Sequence, residues 1–97
     1  MRVRARTDAN HVAIGRLLRQ LFPAVEDCRQ HGGGMSDYLV LTRAGLRLVE
    51  VKDGSKPPSE RRLTPPQEAW KAKFGSYYVV VTCEGDVLEL YAATRAA

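Results

Sequence analysis

Apolar residues fall at Ile14, Leu17, Leu18 and Leu21, the i, i+3, i+4, i+7 spacing that gathers side chains on one face of a helix. Thr7 stands where an N-cap belongs and Pro23 follows the last apolar position, so an amphipathic helix is expected between them. Asn10 lies four residues before Ile14 and seven before Leu17, on the apolar stripe and away from the Arg16 and Arg19 face. An inward amide needs hydrogen-bond partners; on the other reading Asn10, three residues after Thr7, serves only the first helical turn.

Beyond Pro23 the period changes. Ala24 to Arg29 offers a short, weakly patterned strand, and HGGGMSD, His31 to Asp37, is a turn whose three glycines reach backbone conformations closed to other residues. YLVLT and LRLVEVK follow, separated by Arg43-Ala44-Gly45, and read as an antiparallel hairpin. Both strands are apolar on both faces, so they are expected to be central and covered on each side. Alternation puts Leu46, Leu48, Glu50 and Lys52 on one face and Arg47, Val49 and Val51 on the other. Two opposite charges therefore share a face at the end of a buried strand, either as a solvated ion pair or as a reaction centre.

The segment from Asp53 to Leu63 is polar and proline-rich, and longer than a connection requires. Thr64-Pro65-Pro66-Gln67 then opens a helix, with a threonine cap, proline in the first turn and glutamine at the reciprocal capping position; Gly75 is its expected stop. Gln67, Trp70 and Phe74 share one face of that helix. Tyr77 to Thr82 reads as a further strand, and Asp86 to Ala93 as a closing helix with Val87, Leu90 and Tyr91 inward. The order αβββαβα implies one small α/β domain over residues 1–97, a mixed central sheet flanked by helices, preceded by a basic arm at 1–6.

Ninety-seven residues, 44% of them hydrophobic, suffice for one core. The formal charge of +4 says less than its clustering: Arg2, Arg4 and Arg6 lead the chain, and Lys56, Arg61 and Arg62 crowd the long loop. These six are the candidate contacts to a DNA backbone. Cys28 and Cys83 are too few and too far apart for a disulfide framework, and Cys28 with His31 lacks a second ligand pair for zinc. Neither a membrane-spanning run nor an apolar signal core is present in the sequence, so a cytoplasmic location is expected. His31 reads as a solvent-exposed loop residue, and Trp70, Tyr77 and Tyr78 as core aromatics, although each could stack a base.

The candidate chemistry lies at one end of the hairpin. Asp37 and Glu50 would repel each other unless a cation lay between them, and oxygen ligands of this kind suit Mg²⁺ or Mn²⁺. The Val51 carbonyl is a candidate third ligand. Lys52, beside carboxylates, suits an electrostatic role toward phosphate better than that of a general base. By composition an acidic-x-Lys triplet is expected roughly 0.5 times in such a chain, so Glu50-Val51-Lys52 gains its weight only from context.

That context resembles a family. A helix, a Gly-rich turn with Asp37, a hairpin with Glu50-x-Lys52 and a helix opened by Thr64-x-x-Gln67 are similar to the PD-(D/E)XK nuclease superfamily. The likeness is to small stand-alone phage and bacterial members related to VRR-Nuc domains and Holliday junction resolvases. It is carried by GGGMSDYLVLTRAGLRLVEVKDGSKPPSERRLTPPQEAW, with Asp8-Ala9-Asn10 as a weaker N-terminal match. The resemblance implies a restriction-endonuclease-like fold and a metal-dependent deoxyribonuclease selective for branched DNA. By resemblance the catalytic residues are Asp37, Glu50, Lys52 and Gln67, with Asp37 and Glu50 binding the metal; the Val51 carbonyl stays the candidate third ligand, and Asn10 and Thr64 are candidate accessory residues. A homodimer in a bacterial or phage-infected host cell is implied as well, with Tyr77 to Thr82 and the last helix as the expected interface. Ser36 stands where the family often has proline. Gln67 keeps a second reading, closure of the capping box alone, and the whole chain keeps another: a nucleic-acid-binding module on the same fold without cleavage.

Overall fold

The computed structural model describes residues 9–96, so the Arg2, Arg4 and Arg6 arm and the Thr7 cap lie outside the described residues. The elements are α1 (Ala9–Leu21), β1 (Ala24–Asp27), β2 (Tyr38–Thr42), β3 (Gly45–Val51), α2 (Pro65–Phe74), β4 (Tyr78–Val81) and α3 (Glu84–Arg95). They form one four-stranded mixed sheet in the order β1-β2-β3-β4. The first three strands are antiparallel neighbours, and β4 returns parallel to β3 after α2. This is the expected αβββαβα arrangement.

The hairpin turns where the sequence breaks, over Arg43 and Ala44, with Thr42 paired to Gly45. Thr42 braces the turn: its hydroxyl donates to the Gly45 carbonyl at 2.7 Å and accepts from Ala44 N–H at 3.0 Å. Alternation then sorts the faces. Tyr38, Val40, Val49, Val51 and Val81 join Ile14 and Leu18 of α1, Phe22 just past its end, and Val87 and Leu90 of α3 in one core. Both outer helices thus cover the same face, and the apolar stripe read from the sequence of α1 is the part that is buried.

The opposite face departs from expectation. α2 lies against β4 there, and Leu48 and Tyr78 are buried, but Leu41 is 40% exposed and Leu46 51% exposed. Strands β2 and β3 are central but not covered on both sides, because α2 is ten residues long and roofs only the end of the sheet that carries Glu50. Nor does α2 bury any residue: Trp70 is half-buried, Phe74 is exposed and stacks on it at 5.4 Å, and Tyr77 is exposed under the Arg47 guanidinium. Of the aromatics read as core, Tyr78 is core and Trp70 and Tyr77 are not. Among the described residues no helix is long and apolar enough to cross a membrane.

Candidate active site

Asp37 ends the glycine turn one residue before β2, and continuing the β2–β3 ladder by one step sets it opposite Glu50. Its Oδ2 accepts the Val51 N–H at 2.8 Å, which ties the carboxylate to the end of β3. The turn itself is fastened to α2. Trp70 Nε1 donates to the Gly33 carbonyl at 2.9 Å, and Gly34, at φ +86, approaches the Pro66 backbone so closely that a Cβ would lie 2.7 Å from its carbonyl. Ser36 is fully buried, and its hydroxyl donates to the Tyr38 carbonyl at 3.0 Å. A hydrogen bond thus stabilises the turn at Ser36.

Glu50 is 4% exposed, at the end of β3 on the face that α2 covers. Gln67 reaches it from the first turn of α2: Nε2 donates to Glu50 Oε2 at 3.0 Å, while Oε1 accepts from Lys52 Nζ at 3.0 Å. Lys52 Nζ lies 3.6 Å from the same Glu50 oxygen, so the three side chains close a ring. Chemistry fixes the amide's orientation, because a flipped amide would set its NH₂ against an ammonium and its oxygen against a carboxylate.

The same Gln67 completes the helix cap. Its Oε1 also accepts from Thr64 N–H at 2.9 Å, and Thr64 Oγ1 accepts from Gln67 N–H at 3.4 Å. The capping reading of Gln67 holds, and the same side chain also contacts Glu50 and Lys52, so Thr64 anchors the residue that joins them. Asn10, half-buried at the start of α1, donates from Nδ2 to the Lys52 carbonyl at 3.3 Å and the Thr82 carbonyl at 3.5 Å. It is directed inward, as its place on the stripe implied, and binds backbone beside Lys52.

Glu50 Oε2 has its partners, but Oε1 is buried with none. Burial first, and the charge of Asp37 second, push the Glu50 carboxyl up to about 7 against the pull of Lys52. Protonated, Glu50 can hydrogen-bond to Asp37; ionised, it leaves two carboxylates facing each other with one oxygen unsatisfied. A hard divalent cation relieves both faults at once, so the residues fit Mg²⁺ or Mn²⁺. Among the described residues no third His, Cys, Asp or Glu joins these two, so further ligands must be neutral oxygens such as the Val51 carbonyl.

The long loop, Asp53 to Leu63, is flanked by Lys52 and Thr64, so both of its ends are held at the site. Between them Asp53 Oδ1 accepts from Ser55 N–H at 2.9 Å, and Arg61 Nε donates to the Lys56 carbonyl at 2.8 Å. Lys56 and Arg62 are exposed on it, whereas Arg61 is half-buried and serves partly as a brace. His31 is exposed in its turn, as expected.

Sequence reading missed three features, two of them supports. Asp86 Oδ2 accepts from Thr82 N–H at 2.8 Å and from its hydroxyl at 2.9 Å, and Trp70 holds the glycine turn. The third feature is the buried Tyr78, on the same sheet face as Glu50, whose hydroxyl has no hydrogen-bond partner. A tryptophan with one N–H to satisfy is a signal that a partner exists, but not of which one. No protein-family model, curated protein or solved structure matches this chain.

Proposed function

We propose that this chain is a Mg²⁺- or Mn²⁺-dependent DNA endonuclease that hydrolyses phosphodiester bonds, prefers branched DNA, and works as a homodimer in the cytoplasm. The observation that carries the reading is the unpaired, buried Glu50 Oε1 facing Asp37, with Lys52 tethered beside it by Gln67. Asp37, Glu50 and the Val51 carbonyl would hold the cation, which when bound polarises a phosphate oxygen and acidifies a water. Lys52 presents its ammonium to negative charge developing on phosphate, and Gln67 prevents it from collapsing fully onto Glu50. Lys56, Arg61 and Arg62, on the loop between Lys52 and Thr64, would supply backbone contacts, as would Arg2, Arg4 and Arg6 ahead of α1. The dimer interface is assigned to β4, an edge strand, with exposed Tyr77 beside it and exposed Leu88 on α3.

The test is cleavage of supercoiled plasmid and of a four-way junction, with and without Mg²⁺ or Mn²⁺, by the wild type, Glu50→Ala and Lys52→Ala. Cleavage is expected only with metal, and each variant should lose on the order of 10²-fold or more in rate while retaining its circular dichroism. Undiminished cleavage by both variants would show that the chemistry lies elsewhere. Salt-dependent DNA binding by a wild type that never cleaves would favour the non-cleaving module instead.

A further inference from the structure

Tyr78 opens β4 opposite Leu48, on the face where Glu50 stands two residues farther along β3. It is 3% exposed, and its hydroxyl is buried with no hydrogen-bond partner. A buried hydroxyl left unpaired costs roughly 1–3 kcal/mol, and phenylalanine would fill the same space without that cost. Glu50 Oε1 on the same face is its complement, a buried acceptor without a donor. Glu50, Asp37 and Glu68 are, in that order, the charges that act on the phenol, which burial above all pushes upward from its ordinary value. The wall of the site therefore holds one unused donor and one unused acceptor, both shut away from solvent.

Resting on the nuclease reading, we infer that Tyr78 is a positioning residue for the metal site, its hydroxyl donating to the Glu50 carboxylate when that carboxylate is a ligand. A carboxylate oxygen has two lone pairs, so Oε1 can serve a cation and a phenol together. The terminal torsion of a glutamate is broad, which lets the carboxylate turn toward Tyr78 without leaving its rotamer. Ligating carboxylates are commonly hydrogen-bonded in this way, and losing such a partner typically lowers metal affinity 10–100-fold.

Tyr78→Phe tests the inference through two readouts that should move differently. Calorimetric titration with Mn²⁺ at pH 7.5 should show affinity reduced about 10–100-fold. Urea unfolding in EDTA should show metal-free stability unchanged or raised, since an unsatisfied group has been removed. A Phe variant that binds Mn²⁺ as tightly as the wild type overturns the inference alone. A variant that fails to fold also overturns it, because the hydroxyl then has a structural partner. A wild type that binds no Mn²⁺ overturns the nuclease reading together with this one.

Discussion

Replacing Glu50 with glutamine should make the metal-free protein more stable at neutral pH. In the folded chain the Glu50 carboxyl is raised from 4.5 to about 7, chiefly by burial and then by the charge of Asp37. Between these two pH values the folded state keeps a proton that the unfolded state releases. Stability therefore falls as pH rises through the window, and the contribution is full only below about 4.5. At ~1.4 kcal/mol per pH unit the whole rise corresponds to on the order of 3 kcal/mol, a large share of the ~5–15 kcal/mol that holds such a domain. Glutamine keeps the shape and cannot ionise, so Glu50→Gln should track the wild type near pH 4.5 and exceed it by up to that amount at pH 7.5. Urea titrations in EDTA, followed by the fluorescence of Trp70, would measure the difference. Asp27 does not confuse the result, because Arg29 holds its carboxyl down at about 2 and its effect is confined to lower pH, where stability is lost as pH falls. Saturating Mn²⁺ at pH 7.5 should restore the wild type and leave the variant where it was. Parallel stability curves for the two proteins from pH 4.5 to 7.5 would refute the reasoning, since Glu50 would then not be carrying a folded-state proton.

The double role of Gln67 can be divided. Thr64→Ala removes only the cap hydroxyl and should cost ~1 kcal/mol of stability with modest loss of cleavage, whereas Gln67→Ala should cost a similar amount and also abolish most cleavage. Equal activity in the two variants would reduce Gln67 to a cap. Neutralising Lys56, Arg61 and Arg62 should weaken binding to all DNA sequences and flatten the salt dependence by roughly 0.9 log units for each phosphate that is no longer neutralised; an unchanged slope would clear the loop. Sedimentation at micromolar concentration should show a dimer, and a monomer that still makes paired cuts in a four-way junction would remove the need for one.

The structure follows the sequence closely where one periodicity serves one purpose. The stripe of α1 and the alternation of β3 set Ile14, Leu18, Val49 and Val51 in the core, and the same alternation puts Glu50 and Lys52 on a common face. The register of the hairpin also follows, because a two-residue turn between Thr42 and Gly45 leaves it no freedom. What periodicity could not supply was how much each face is covered. Leu41 and Leu46 read as buried because apolar residues on both faces usually mean two covering layers, but coverage depends on the length of α2 and where it lies.

That Asp37, Glu50, Lys52 and Gln67 meet was legible in the sequence; how they connect was not. Gln67 had two competing readings in sequence; the cap is present, and the oxygen that closes it is also the one that Lys52 reaches. One consequence is mechanical. The cap fixes Gln67 to the start of α2, Trp70 fixes the glycine turn to the same helix, and Asp37 follows that turn to bond with β3. Helix, turn and strand therefore form a closed loop of attachments around the two carboxylates. Like charges do not approach unless the surrounding structure holds them, and here three separate elements do the holding while Glu50 Oε1 stays unpaired. A solvated ion pair requires none of that scaffolding, because Lys52 and Glu50 alone would satisfy it at the strand's edge. The burial of Glu50, rather than the acidic-x-Lys spacing, is what sets this pair apart from a solvated surface pair.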